Sequence, residues 1–111
     1  MNRLTSITYD CTDALAVARF WSTVLDRPVP DDATSHYVQL AGEPAWSFVA
    51  VPERKSVKNR VHVDLEAADL AGEVARLVGL GATRLGDFDE EGFQWSTLAD
   101  PEGNEFDVVA G

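Results

Sequence analysis

The chain has 111 residues, 45% of them apolar, with 19 acidic side chains against 9 basic ones and a net charge of −10. A domain of this length buries roughly two-thirds of its unfolded surface, so neither disulfide nor metal is required for folding. The acidic surplus argues against duplex nucleic acid and anionic membrane as partners. The single cysteine, Cys11, excludes an internal disulfide and a cysteine-rich zinc module. It fits a reducing compartment. No apolar run approaches the ~20 residues of a membrane span, and Met1-Asn2-Arg3 leads into no secretory segment. The expectation is a cytoplasmic single domain over residues 1–111.

In chain order, Leu4 to Cys11 alternates, with Ile7, Tyr9 and Cys11 on one face and Ser6, Thr8 and Asp10 on the other, the period of a half-buried strand. Thr12-Asp13 supplies a helix cap, and Ala14 to Leu25 places Leu15, Ala18, Trp21, Ser22 and Leu25 on one stripe. Pro28 stops that helix. Pro28 to Asp32 reads as a turn or short edge strand. His36 to Ala41 and Ala45 to Val51 read as strands around a Gly42-Glu43-Pro44 turn. Residues 53–58 form a linker. Arg54, Lys55, Lys58 and Arg60 put four basic residues within seven positions, either a solvated connector or a clamp for an anion.

The pattern then restarts. Arg60 to Leu65 alternates as a strand, Asp69 caps a helix running to Leu80, and Ala82 to Leu85 is a short strand. Gly86 to Gly92 reads as an acidic loop that either aids solubility or attracts a cationic ligand. Phe93 to Leu98 is a strand, Asp100-Pro101-Glu102-Gly103-Asn104 a tight turn and Glu105 to Val109 a last strand. The order is βαβββ twice, with module 1 at about 1–52 and module 2 at about 59–111. Val17-Ala18-Arg19-Phe20 and Val74-Ala75-Arg76-Leu77 echo each other at the same place in the two helices, which points to an internal duplication.

Strand parity assigns one face to the helices and leaves the other to solvent or a pocket. The second face collects Ser6 and Thr8, His62 and Asp64, and Glu105 and Asp107. Aligning the modules adds Val49, Ser47, Tyr37, Gln39, Trp95 and Thr97. If the two sheets curl toward each other, these residues line one cup. Trp21 and Trp46 belong to the core, Cys11 is buried and inert, and His36 lies at the surface. Trp95 is either a stacking platform or a packed ring.

The chain resembles the vicinal oxygen chelate superfamily, the glyoxalase, bleomycin-resistance and extradiol-dioxygenase group, and within it the small glyoxalase-like domain proteins. The resemblance rests on Asp13 to Trp21, on Asn59-Arg60-Val61-His62-Val63-Asp64-Leu65, on Leu80-Gly81-Ala82 and above all on Asp100-Pro101-Glu102-Gly103-Asn104-Glu105-Phe106. It implies an α+β fold of two tandem βαβββ modules whose curved sheets form an open, barrel-like cup, commonly paired as a homodimer. Metal-dependent members place four ligands on the cup face. Carried over position by position, those places are Ser6, Val49, His62 and Asp107. Only His62 and Asp107 are ligand types, and three protein ligands plus water are the usual minimum for a catalytic ion. Asp10, Asp64 or Glu105 is the available off-pattern third ligand. Without a metal, His62 is either a structural histidine or a ligand-contacting donor or base.

The resulting expectation is a small-molecule binder without a metal, its cup holding an aromatic or cationic ligand. Trp95 and Tyr37 would stack on it, His62 and Asp107 would make polar contacts, and Ser6 and Val49 would line the wall. Two alternatives stand beside it: a metal-dependent lyase, isomerase or dioxygenase with a divalent ion at His62 and Asp107, and a non-catalytic interaction domain. The incomplete ligand set argues against glyoxalase I chemistry itself, which needs a Lewis acid.

Overall fold

Two aspartates start the two helices. Asp13 accepts a hydrogen bond from the Ala16 N–H (3.2 Å) and opens α1, Ala14–Leu25. Asp69 accepts from the Gly72 N–H (3.1 Å) and opens α2, Leu70–Gly79. Each carboxylate satisfies a donor that the first helical turn leaves unpaired. In this computed structural model, which describes residues 1–111, the chain forms two compact units, Met1–Lys55 and Ser56–Gly111.

The first unit joins α1 to strands β1 (Ser6–Cys11), β2 (Tyr37–Leu40) and β3 (Ala45–Ala50) in the order β1-β3-β2, with β1 parallel to β3 and β2 antiparallel to it. Only three strands form here. Pro28 to Asp32 is irregular chain and turn, not an edge strand, because the two prolines lack the donors that a ladder uses. The buried stripe of α1 is Ala14, Val17, Ala18 and Trp21, with Phe20 beside it. It is rotated from the stripe expected through Leu15 and Leu25, neither of which is fully buried. Trp21 and Phe48 are fully buried and Trp46 is 7% exposed. Tyr9 meets Trp21, Trp46 and Phe48 edge-on at 5.5–5.8 Å. Such edge-to-face pairs add to the area term of aromatic burial. Cys11 is buried, as parity suggested, and its thiol donates to the Val49 carbonyl at 3.4 Å.

The second unit joins α2 to β4 (Asp64–Ala67), β5 (Thr83–Glu90), β6 (Phe93–Ala99) and β7 (Glu105–Ala110) in the order β4-β7-β6-β5. β4 runs parallel to β7, and the other pairs are antiparallel. The segment expected to be an acidic loop is most of β5. Acidic residues are poor strand formers in general, but β5 is an edge strand, where charge is tolerated and discourages pairing with other chains. Glu91 (φ 54°) and Gly92 (φ 87°) turn it into β6, the left-handed pair that a two-residue hairpin requires. A bulge between Arg84 and Gly86 shifts the register. β4 begins at Asp64, not at Arg60, and Val61 is exposed instead of helix-facing.

Between β6 and β7 the buried Asp100 organises the turn. Its Oδ1 accepts from the Glu102 and Asn104 N–H groups, both at 2.9 Å, and its Oδ2 accepts from Asn104 Nδ2 at 3.1 Å. Gly103 takes φ 90°, open to glycine at no steric cost. The turn fixes the register that sets Thr97 opposite Asp107.

Replacing Trp21 by alanine removes the centre of the first unit's aromatic layer. The expected loss is about 3–5 kcal/mol of unfolding free energy, the usual cost of deleting a large buried aromatic, read as a lower urea midpoint. A midpoint equal to the parent's would show that the layer contributes little.

Candidate functional site

The parallel pairing of β4 with β7 places Asp64 and Asp107 at the same level of the sheet. Val63 extends that pairing by one bond, its carbonyl accepting from the Asp107 N–H at 3.0 Å. His62 lies one residue further back, outside the strand, on the same side as Asp64. Its Nε2 reaches 3.4 Å from Asp107 Oδ2 and 3.6 Å from Asp64 Oδ1. Side chains at i and i+2 share a face but stand ~6.5 Å apart at their backbones; the long imidazole closes that gap. Just ahead of His62, Asn59 anchors the incoming chain to β7. Its backbone N–H donates to Glu105 Oε2 at 2.9 Å, and its Nδ2 donates to the Glu105 carbonyl at 3.0 Å.

Asp107 is the fixed member of the group. Its side chain is 17% exposed, against 43% for His62 and 60% for Asp64. Thr97 Oγ1 donates to Asp107 Oδ1 at 2.6 Å, which pins the carboxylate and leaves Oδ2 facing the histidine. The ligand-type atoms of His62, Asp64 and Asp107 lie within 4.8 Å of one another. Ligands sharing one ion at about 2.0–2.2 Å stand roughly 3–3.5 Å apart, so the two histidine–carboxylate gaps already suit a common divalent ion. One imidazole and two carboxylates form a mixed borderline and hard donor set, suited to Mn, Fe or Zn.

The remaining residues of interest sit as follows. Trp95 is on the face of Asp107 and Thr97, half-buried, stacked on Phe88 with ring centres 5.1 Å apart and planes at 18°, and 5.5 Å from Phe93. Phe88 and Phe93 are both substantially exposed. In the first unit, Tyr37 and Val49 are register partners and share a face. Ser6 is not beside them: its partner is Ala45, and Val49 is opposite Asp10. Four residues of strand separate Ser6 from Val49, about 13 Å, and Ser6 bonds instead to Thr8 Oγ1 at 3.4 Å. His36 is at the surface. Thr97, placed by parity alone in the sequence, emerges as the partner of Asp107. Its signal was the alternation shared with Trp95.

The glyoxalase-like domain family model matches residues 6–109, and the chain belongs to that family, within the glyoxalase, bleomycin-resistance and dioxygenase fold group. A glyoxalase/bleomycin resistance protein/dioxygenase family enzyme from Burkholderia phytofirmans superposes with TM-score 0.80 at 16% identity, covering 98% of each chain. The fosfomycin resistance protein FosX from Listeria monocytogenes, solved with Mn(II) and 1S,2S-dihydroxypropylphosphonic acid, superposes with TM-score 0.81 at 12% identity, covering 100% of this chain and 91% of its own. Lactoylglutathione lyase from Agrobacterium tumefaciens gives TM-score 0.69 at 15% identity, with 100% and 95% covered. At these identities the likeness establishes the fold. No curated protein matches the sequence significantly.

The expectation of a site with no metal is thereby corrected. Asp64 joins His62 and Asp107 in a group of three ligand-type side chains close enough to hold one ion, where the position-by-position reading had two, and a solved protein of the same fold carries Mn(II). The earlier count stopped at two because it kept to the family's ligand positions, whereas here two neighbouring strands offer a carboxylate at the same level. No helix is long and apolar enough to cross a membrane.

Asn59→Ala removes the side-chain bond that moors the chain before His62. The expected cost is about 1–2 kcal/mol, with amide exchange accelerating at residues 60–63 while α2 keeps its protection. Unchanged exchange in that segment would show that the moor is not what holds it.

Proposed function

We propose that this chain is a metal-dependent small-molecule-binding domain in which His62, Asp64 and Asp107 hold one divalent cation. The observation that carries the proposal is the approach of His62 Nε2 to both carboxylates, at 3.4 and 3.6 Å. Three protein ligands leave coordination positions open for water or an exogenous donor, the arrangement of catalytic rather than structural sites. Thr97 keeps Asp107 oriented through its hydrogen bond, the role that outer partners play for ligating carboxylates. Neutral His62 would present its Nε2 lone pair. A bound ion would supply Lewis acidity, polarising an oxygen of the bound molecule.

The ligand we infer has an oxygen donor at one end and a planar apolar group at the other. Trp95 supports the second half: it lies two residues from Thr97 on the same strand face, backed by Phe88 and flanked by Phe93. Most of an aromatic ring's affinity comes from such a flat, partly desolvated surface. The oxygen-rich diol phosphonate beside Mn(II) in the Listeria protein is consistent with an oxygen donor at the ion.

Titration of metal-stripped protein with Mn(II), followed by the electron paramagnetic resonance of the free ion, is expected to give one equivalent bound. His62→Ala and Asp107→Ala are expected to abolish it. Thr97→Val is expected to weaken it by about tenfold, the low end of the range for losing an outer partner. Asp64→Asn separates this site from a two-ligand one: undiminished affinity would remove Asp64 from it. Mn(II) uptake that survives His62→Ala would overturn the proposal.

A further inference from the structure

The two modules fill the space between helix and sheet differently. In the echo Val17-Ala18-Arg19-Phe20-Trp21 and Val74-Ala75-Arg76-Leu77-Val78, the place of Trp21 is taken by Val78. Trp21 is fully buried, whereas Val78 is 43% exposed. The second unit has a cavity of about 810 Å³ between α2 and strands β5 and β6, with Val78 in its lining. That volume lies in the range of drug-sized ligand sites, about 300–1,000 Å³.

Its walls are of two kinds. Leu70, Val74 and Val78 give the helix side an apolar surface. The strand side carries Arg84, Asp87 and Asp89. The bulge after Arg84 brings its side chain to the face of Asp87 despite their odd spacing, and the guanidinium Nε donates to Asp87 Oδ1 at 3.1 Å, with an ion pair to the other oxygen. Ser96, 3% exposed, donates to the same Asp87 oxygen at 2.8 Å. Asp87 is therefore neutralised and fixed. Asp89 is held by neutral donors alone, the Gly92 N–H at 3.0 Å and Gln94 Nε2 at 3.2 Å. It leaves a net negative charge at the polar wall, and Glu90 and Glu91 follow it in the chain. By strand alternation Ser96 and Asp87 lie on the opposite face of the sheet from Thr97 and Asp107; none of His62, Asp64 and Asp107 lines the cavity, although Phe88 and Trp95 also border it.

We propose that this cavity is a second ligand site, specific for an amphipathic monocation: an alkyl or aryl chain lies along α2 and its ammonium group faces Asp89. Shape comes from the apolar helix wall of Leu70, Val74 and Val78. Sign comes from the one carboxylate that has no cationic partner. A neutral apolar ligand would leave that carboxylate desolvated beside it, and an anion would meet it directly.

The test uses octyltrimethylammonium as probe in isothermal titration calorimetry, with tetramethylammonium and octyl sulfate as the tail-less and anionic comparisons. Saturable one-to-one binding of the octyl cation alone is expected. Asp89→Asn is expected to weaken it by about threefold to fivefold, the size of an exposed charge pair. Val78→Trp, which puts the first module's residue in the matching place, is expected to abolish it; Ala75→Phe fills the same space should the tryptophan variant fail to melt cooperatively. Equal binding of octyl sulfate, or undiminished binding in a folded cavity-filling variant, would overturn the proposal. Retention of Mn(II) titration in these variants separates the fate of this site from that of the His62 group.

Discussion

The parallel pairing of β4 and β7 is the constraint on which the candidate metal site depends. Parallel neighbours put residues level with each other without the hairpin that antiparallel strands allow, so Asp64 meets Asp107 only because a helical crossover separates them in sequence. A slip of one residue would turn either aspartate to the opposite face of the sheet. Four devices resist such a slip. Asp69 caps the crossover helix, and Asp100 ties the turn before β7. Asn59 moors the chain ahead of β4, and Thr97 reaches across from β6. Three of them are polar side chains bonded to backbone, which costs little when both partners are satisfied and much when one is left alone.

The comparison of the two modules separates what a shared layout requires from what each copy adds. Both begin with a strand, an aspartate cap and a helix of similar sequence. The first is filled by Tyr9, Trp21, Trp46 and Phe48, with Tyr9 edge-on to the other three and the two tryptophans tilted against each other. The second relies on Leu77, Leu98, Phe106 and Val108 and leaves space near α2 unfilled. Chemistry-bearing side chains follow the same division. Ser6 and Val49 are four residues apart in register, while the corresponding end of the second module gathers His62, Asp64 and Asp107.

Periodicity made most of this legible. The boundaries of α1 read directly from its cap and its proline stop, and the Asp-Pro-Glu-Gly-Asn turn was recognisable because each residue in it has a defined local task. Parity placed His62, Trp95 and Asp107 on one face, where they are found. Three features escaped for physical reasons. β5 was hidden because its acidic residues look like a loop until the hairpin partner is known. The missing edge strand of the first module depended on whether two prolines could be tolerated, and they were not. The nearness of Asp64 to Asp107 and His62 was not singled out from Asp10 or Glu105, because sequence spacing does not report how far an imidazole outside the ladder can lean.

Cys11 carries a practical consequence. Its thiol is 4% exposed and engaged with a main-chain carbonyl, and it is the sole sulfhydryl of the chain. Thiolate reactivity requires access as well as ionisation, so maleimides and iodoacetamides should pass over it in the folded state. A cysteine introduced at an exposed position would then accept a spin label or fluorophore on an otherwise silent background, without first mutating the native one.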